Sequence, residues 1–149
     1  MRIEIDQSGK VENTNKHTFL AYSNSHHSVL KISSVEKRKI QKYFRSQGKP
    51  KIFIYLTFAA LIVILLENIR ENNAQIIIDT EYLGKGSLIK NLIKSLDSSF
   101  PAEDVSFHQI GRRSRAHFLA YGTAIKKLNP DIIVKANDIF QLIKKSGSA

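Results

Sequence analysis

The chain opens on three short stretches in which apolar and polar positions alternate. Polar turns rich in Asn, Ser and His separate these stretches, and the pattern predicts an antiparallel meander of strands over 2–7, 17–24 and 28–33. Further along, apolar residues recur at helical spacing in some segments and form short continuous blocks in others. Helices are predicted over 34–47, 58–72, 87–97, 114–128 and 137–145, and later strands over 52–56, 75–80, 104–110 and 131–134.

These elements predict one α/β domain over 1–145, followed by a flexible tail at 146–149. A meander followed by alternating helices and strands is typical of a mixed sheet with helices on its faces. Ser34 is the predicted N-cap of the first helix. Gly84-Lys85-Gly86-Ser87 is interpreted as a turn with Ser87 as the next N-cap, the alternative being a phosphate-binding loop.

One long apolar run interrupts this pattern. Ile52 to Leu66 is fifteen residues long and contains one polar residue, Thr57. A membrane-spanning helix needs roughly 20 apolar residues. We therefore interpret the run as a strand followed by a buried helix and predict no membrane association, with a membrane anchor as the minor alternative.

The composition excludes several kinds of functional site. The chain has no Cys, which excludes disulfides, thiolate metal sites and Cys nucleophiles. The absence of Cys and of a visible N-terminal signal predicts a cytoplasmic location. With 23 Lys and Arg against 13 Asp and Glu, the formal net charge is +10, which indicates a polyanionic partner or serves solubility.

The positive charge is concentrated in two segments. Residues 31–51 hold eight basic residues and one acid, and residues 111–127 hold five basic residues and no acid. Nucleic acid, as RNA, DNA or hybrid, is therefore the predicted partner. The alternative is that both segments are solvated basic surfaces. The candidate phosphate contacts are Lys37, Arg38, Lys42, Arg112, Arg113 and Arg115. The oligomeric state does not follow from the sequence.

Two predicted strands each end on a carboxylate, Asp6 and Asp79. If these strands are neighbours, the two side chains come within reach of one cation, and Glu81 shares the face of Asp79 because strand side chains repeat every two residues. Carboxylate oxygens are the ligands that Mg²⁺ and Mn²⁺ prefer. The alternative is that Asp6 opens a turn and Asp79 caps a helix.

The order of these elements resembles the ribonuclease H-like fold, whose first strand carries an Asp and whose fourth strand, beside the first, ends on a second acid. Ile5-Asp6-Gln7-Ser8-Gly9 is similar to the Asp-x-Ser-Gly opening of a group of uncharacterised prokaryotic ribonuclease H-like proteins. Ile78-Asp79-Thr80-Glu81-Tyr82 matches the second acidic strand. Gly111 to His117 lies where such enzymes place their final active-site residue.

The resemblance implies a metal-dependent nuclease that hydrolyses phosphodiester bonds with two metal ions. Asp6 would bridge the ions and Asp79 would bind one. The family also places a Glu early in the helix beside the first strand, where Thr57 to Ala60 supplies none. Glu67 lies roughly 15 Å further along that helix. Glu81 is therefore the candidate third ligand.

His117 occupies the fourth family position, which is usually an acid. An imidazole there could ligate a metal or move a proton near neutral pH. The alternative is a helix histidine packed against Tyr121, one turn later. Because the acid set departs from the family pattern, a non-catalytic nucleic-acid-binding or interaction module on the same fold is the alternative function.

Overall fold

The computed structural model describes residues 2–67, 69 and 74–147. The strands are β1 Arg2–Ser8, β2 Thr18–Ser23, β3 His27–Ile32, β4 Gln75–Asp79, β5 Val105–His108 and β6 Ile132–Val134. The helices are α1 Ser34–Ser46, α2 Ile52–Leu65, α3 Gly86–Leu96, α4 Arg115–Ala124 and α5 Ala136–Ser146, with a 3₁₀ turn at Ala102–Asp104.

The six strands form one mixed sheet in the order β5-β4-β1-β2-β3-β6. The strands β1, β2 and β3 are antiparallel, which confirms the predicted meander. In contrast, β4 runs parallel to β1, β5 parallel to β4, and β6 parallel to β3. The predicted α/β class with a mixed sheet is thus confirmed.

The helices cover the two faces of the sheet unequally. The main core packs α1, α2, α3 and α5 against one face, through residues such as Ile5 and Leu20. A smaller cluster packs α4 against the other face, where Leu119 and Ala120 contact Phe19, Ala21 and Val29. Because strand side chains alternate between faces, Glu4 and Asp6 of β1 share the α4 face. Asp6, a candidate site residue, therefore lies on the face of the sheet that α4 covers.

The apolar run forms the single helix α2, so the prediction of a strand at 52–56 is wrong. The β-branched and aromatic residues from Ile52 to Leu56 are typical of a strand, yet no Gly, Pro or Asn separates them from the helical segment. The helix is apolar all round because it lies centrally, in contact with α1, α3, α5 and the sheet. Neither α2 nor any other described helix is long and apolar enough to cross a bilayer.

Several element ends differ from the predictions. The helix α2 ends at Leu65 rather than 72, and residues 68 and 70–73 lie outside the described part of the chain. The helix α4 ends at Ala124 rather than 128, followed by Lys126 at φ 65°, a left-handed conformation that stops a helix. Ser146, predicted to lie in the tail, is the last residue of α5, and 148–149 are outside the described residues.

Two predicted helix caps also need correction. Ser33, not Ser34, caps α1, and its Oγ accepts a hydrogen bond from the Glu36 N–H. The helix α3 begins at Gly86, and the residue at its cap position, Lys85, makes no side-chain capping bond, so Ser87 is not a cap. The backbone N–H of Lys85 donates to Tyr82 O at 3.2 Å, which closes the predicted turn.

Candidate metal centre and nucleic-acid interface

Three carboxylates converge at one edge of the sheet. Ile5 pairs with Ile78 across the parallel strands β1 and β4. The next residues along the two strands, Asp6 and Asp79, therefore lie side by side. Glu81 follows two residues after Asp79. One carboxylate oxygen from each of these three residues lies within 4.8 Å of the others. The cluster can therefore hold a metal ion.

The electrostatics of this cluster favour a cation. Asp6 is buried, and loss of hydration raises the pKa of its carboxyl, opposed by its hydrogen bonds to Gln7 and His117. Burial and the neighbouring Asp79 raise the pKa of Glu81 to about 7. Three close carboxylates repel one another when all are ionised, and either a bound proton or a bound cation relieves that repulsion. Hard oxygen donors at this spacing fit a divalent cation.

Hydrogen bonds hold the two aspartates in place. Asp6 Oδ1 accepts a hydrogen bond from the Gln7 N–H at 2.8 Å, and Asp79 Oδ1 accepts one from the Ile110 N–H at 2.8 Å. Asp6 lies within β1, paired with Ala21 of β2. Ile110 follows β5 and does not begin a helix. The alternative roles, a turn opener for Asp6 and a helix cap for Asp79, therefore do not describe these residues.

His117 contacts Asp6 directly. Its Nδ1 lies 2.7 Å from Asp6 Oδ2, and its ring lies parallel to the Tyr121 ring with the centroids 6.2 Å apart. His117 thus contacts both Asp6 and Tyr121, and the packing against Tyr121 that the alternative interpretation expected is present. Within the described residues, His117 does not join the group of three converging carboxylates. In the structure it is a hydrogen-bonding partner of Asp6.

The start of α4 is fixed by a chain of polar contacts. The Ser114 hydroxyl caps α4 by accepting from the Ala116 N–H, and it donates to Glu4 Oε1 at 2.9 Å. Glu4 in turn pairs with Arg2 at 2.7 Å. These contacts tie α4 to β1 two residues before Asp6. The helix that carries His117 is thereby anchored to the strand that carries its partner.

Tyr82 is a positioning residue that sequence reasoning missed. Its hydroxyl accepts from the Val11 N–H at 3.3 Å, lies 3.4 Å from Gln7 Nε2, and donates to Glu12 Oε1 at 3.3 Å. Its ring packs edge-on against Tyr55 and Phe58 of α2. Tyr82 therefore ties the segment after Glu81 to the end of β1. Its place directly after Glu81 is the one sequence signal that pointed to it.

Glu67 lies away from the carboxylate cluster, as its spacing predicts. It follows α2 and does not belong to the group of converging carboxylates found among the described residues. Glu67 instead lines a surface pocket with Leu142 and Lys145 of α5.

Lys37 is buried rather than exposed to a partner. Its exposed fraction is 0%, and its Nζ donates to the carbonyls of Lys10 and Asn13, at 3.2 and 2.7 Å, and to Thr18 Oγ1 at 2.9 Å. The structure removes Lys37 from the predicted phosphate contacts. The sequence did not reveal that Lys37 is buried, because Lys37 lies in a run of basic residues. Charge alone does not show which side of α1 faces the β1–β2 loop.

The lowered pKa of the Lys37 ammonium can be tested by measuring the stability of the protein at alkaline pH. Burial lowers its pKa to about 8, below the 10.5 of an exposed lysine, so the folded protein loses this proton first as pH rises. Holding the charge costs stability below pH 8, and that cost disappears between about pH 8 and 10.5. We expect the free energy of unfolding of wild type, relative to Lys37→Met, to rise by about 2–3 kcal/mol between about pH 7 and 10.

Urea denaturation at several pH values measures this difference. Lys42→Met is the matched control, because Lys42 is an exposed lysine of the same helix and its replacement should give a pH-independent difference. A pH-independent difference for Lys37→Met as well would show that the buried ammonium does not titrate in this range.

The remaining basic candidates lie on two faces of the molecule. Arg38 and Lys42 are exposed on α1, and the Arg38 guanidinium donates to Thr14 O at 2.7 Å. Arg112, Arg113 and Arg115 are exposed around the start of α4, across the sheet from α1. The two basic segments therefore do not flank the acidic cluster together. The α4 arginines are the ones on the face of Asp6.

The α4 arginines are available to an outside anion. None of the ion pairs recorded among the described residues involves them, although Arg115 Nη2 lies 3.4 Å from His27 Nδ1. Arg112 lines a surface pocket of about 370 Å³ together with His117 and Tyr121. An anion in this pocket would lie next to the histidine that contacts Asp6.

Comparison with protein-family models, with curated proteins and with solved structures finds no match to this chain. The function therefore has to be argued from the site itself.

Proposed function

We propose that this protein is a metal-dependent nuclease of ribonuclease H-like type that hydrolyses phosphodiester bonds with Mg²⁺ or Mn²⁺. The observation that carries the proposal is the convergence of Asp6, Asp79 and Glu81 at the ends of adjacent parallel strands. Such a cluster of hard oxygen donors matches the ligands of these two cations. The contact between His117 and Asp6 adds a group able to carry a proton.

The strand arrangement supports the ribonuclease H-like part of the proposal. The antiparallel meander opens the chain, and β4 lies beside β1 with its acid next to Asp6. This is the arrangement that the resemblance in the sequence implies. The late helix α4 also brings His117 to the same edge.

The proposed roles follow from the contacts. Asp6, Asp79 and Glu81 would hold the metal, with Asp6 shared if two ions bind. Bound divalent ions would lower the pKa of an attacking water and stabilise the leaving oxygen. His117 keeps Asp6 oriented through the 2.7 Å contact and can take or give a proton beside it. Arg112 is placed to hold a phosphate group next to His117.

A substrate screen tests the proposal. Labelled RNA, DNA and RNA–DNA hybrid are incubated with the protein in Mg²⁺, Mn²⁺ or EDTA. We expect cleavage of at least one substrate that requires a divalent ion. Cleavage that EDTA does not affect, at the same level in Asp6→Asn, would be a contaminant and would end the nuclease proposal.

A non-catalytic nucleic-acid-binding module on the same fold is the second candidate. It is favoured by α2, which contains no acid and in which Thr57, Phe58, Ala59 and Ala60 are all buried. Under this proposal the protein binds nucleic acid through exposed basic residues and shows no metal-dependent cleavage.

Binding to an oligonucleotide should depend steeply on salt. Phosphate contacts release counterions, so the affinity for a mixed-sequence oligonucleotide should fall by roughly tenfold or more between about 50 and 200 mM salt. Removing one contact should lower the slope of log K against log[salt] by about one. Arg113→Ala and Arg115→Ala should do so, and Lys144→Ala on α5 is the matched control.

Arg38→Ala and Lys42→Ala decide which face binds. If these two variants alone reduce the slope of log K against log[salt], the α1 surface is the binding face. Affinity that salt does not change, or no affinity at low salt, would contradict both candidates.

A further inference from the structure

The outer face of α4 is apolar and exposed. Phe118, Tyr121 and Ile125 expose 64%, 53% and 42% of their surface, and they make up three of the seven exposed large apolar side chains among the described residues. Their spacing, i, i+3 and i+7, places them on one side of the helical segment. A helix normally presents polar residues to water, so this stripe indicates a ligand with apolar surface.

The stripe lies beside His117, the residue that contacts Asp6. Tyr121 lies parallel to His117, whose Nδ1 contacts Asp6, and both rings line the pocket that Arg112 completes. From His117 to Ile125 the helical segment extends by roughly 12 Å at 1.5 Å per residue. A ligand that lies along the stripe would thus reach the proposed metal centre at one end.

The positive charge around the stripe indicates what kind of ligand would bind there. The segment 111–127 contains Arg112, Arg113, Arg115, Lys126 and Lys127 and no acidic residue. Exposed aromatic rings beside such cations match a polyanion with flat apolar faces, because bases stack on aromatic side chains while cations follow the phosphates. The bases of a duplex are stacked on each other, so only unpaired bases offer these faces.

We propose that Phe118 and Tyr121 form a stacking platform for unpaired bases of a single-stranded nucleic acid, whose phosphates lie along Arg112, Arg113 and Arg115. This inference rests on the proposed nucleic-acid function and adds its substrate class, a strand that is single-stranded next to the scissile phosphate. Charge argues against a second copy of the chain as the ligand, since pairing two α4 surfaces would bring ten like charges together.

Fluorescence anisotropy in EDTA, which prevents cleavage, tests the platform. The probes are a labelled single-stranded oligothymidine, the same strand with two abasic positions, and a duplex of equal length. Phe118→Ala should weaken binding of the intact strand by about tenfold. It should change the affinity for the duplex and for the abasic strand far less. Phe118→Tyr, which keeps an aromatic ring, should restore binding of the intact strand.

Val35→Ala is the matched control, because Val35 is a similarly exposed apolar residue on α1, across the sheet. Circular dichroism melts establish that each variant is folded. Equal affinity of wild type for intact and abasic strands would overturn the platform. So would a wild-type dimer in sedimentation that Phe118→Ala dissociates, which would identify the stripe as an interface between copies.

The platform and the nuclease can fail separately. If metal-dependent cleavage requires Asp6 but binding ignores unpaired bases, only the platform is wrong. If binding depends on Phe118 and unpaired bases but no substrate is cut, only the nuclease proposal is wrong.

Discussion

Replacing Asp6 by Asn is expected to reduce metal-dependent cleavage by more than 100-fold while the protein stays folded. Asp6 is buried at the centre of the cluster, and one of its oxygens lies within 4.8 Å of ligand oxygens from both Asp79 and Glu81. The amide keeps the shape of the side chain and its oxygen can still accept from the Gln7 N–H, but the charge that would hold the cation is lost. Asp79→Asn should behave in the same way.

Initial cleavage rates across a Mn²⁺ titration measure this effect, and thermal melts establish that the variants are folded. Glu67→Gln is the matched control, since it removes an acid that lines a pocket beside α5 and lies outside the carboxylate group, and it should leave activity near wild type. Full activity in Asp6→Asn, or an equal loss in Glu67→Gln, would show that the cluster is not the catalytic centre.

His117→Ala is expected to lower kcat by roughly 10²-fold and to change substrate affinity much less. The ring of His117 touches Asp6 rather than joining the three carboxylates, so its removal should disturb proton movement and the orientation of Asp6 more than substrate binding. Single-turnover kinetics, with affinity measured separately, divide the two effects. His26→Ala is the control, because His26 is exposed in the β2–β3 turn.

His117→Asn separates orientation from proton transfer. An Asn can still hydrogen-bond a carboxylate but does not titrate. Recovery of the rate in His117→Asn would assign His117 a positioning role alone. A rate as low as that of His117→Ala would support proton transfer, and a kcat unchanged in both variants would remove His117 from the mechanism.

The parts of the fold that local patterns determine could be predicted from the sequence. Alternating residues in β1, β2 and β3 specify strands with one face toward each layer of helices, and short polar turns specify their antiparallel pairing. The sequence left open whether β1 and β4 are neighbours; because they are a parallel pair, their acids lie at the same edge of the sheet, as the resemblance implied. The strands of the meander and their pairing depend only on residues close together in the chain.

The parts that depend on tertiary surroundings could not be predicted. The segment from Ile52 to Leu56 becomes helical because it continues into α2 at the centre of a helical layer, which no local pattern shows. Lys37 is buried because three oxygens of the β1–β2 segment surround its ammonium. Tyr82 acquires its role from partners about 70 residues earlier in the chain.

The exposure of the α4 stripe also depends on tertiary surroundings and could not be predicted from the sequence. The spacing of Phe118, Tyr121 and Ile125 is equally typical of a helix face that packs into a core. Only the structure shows that Leu119 and Ala120 occupy the sheet side instead, which leaves the aromatic residues in solvent.

The most direct test of the central claim is anomalous diffraction from a crystal of the protein soaked in Mn²⁺. We predict an anomalous peak within coordination distance of carboxylate oxygens from Asp6, Asp79 and Glu81, and no such peak in Asp6→Asn crystals treated identically. A wild-type crystal that shows Mn²⁺ bound elsewhere and none at these three carboxylates would contradict the metal centre on which the proposed function rests.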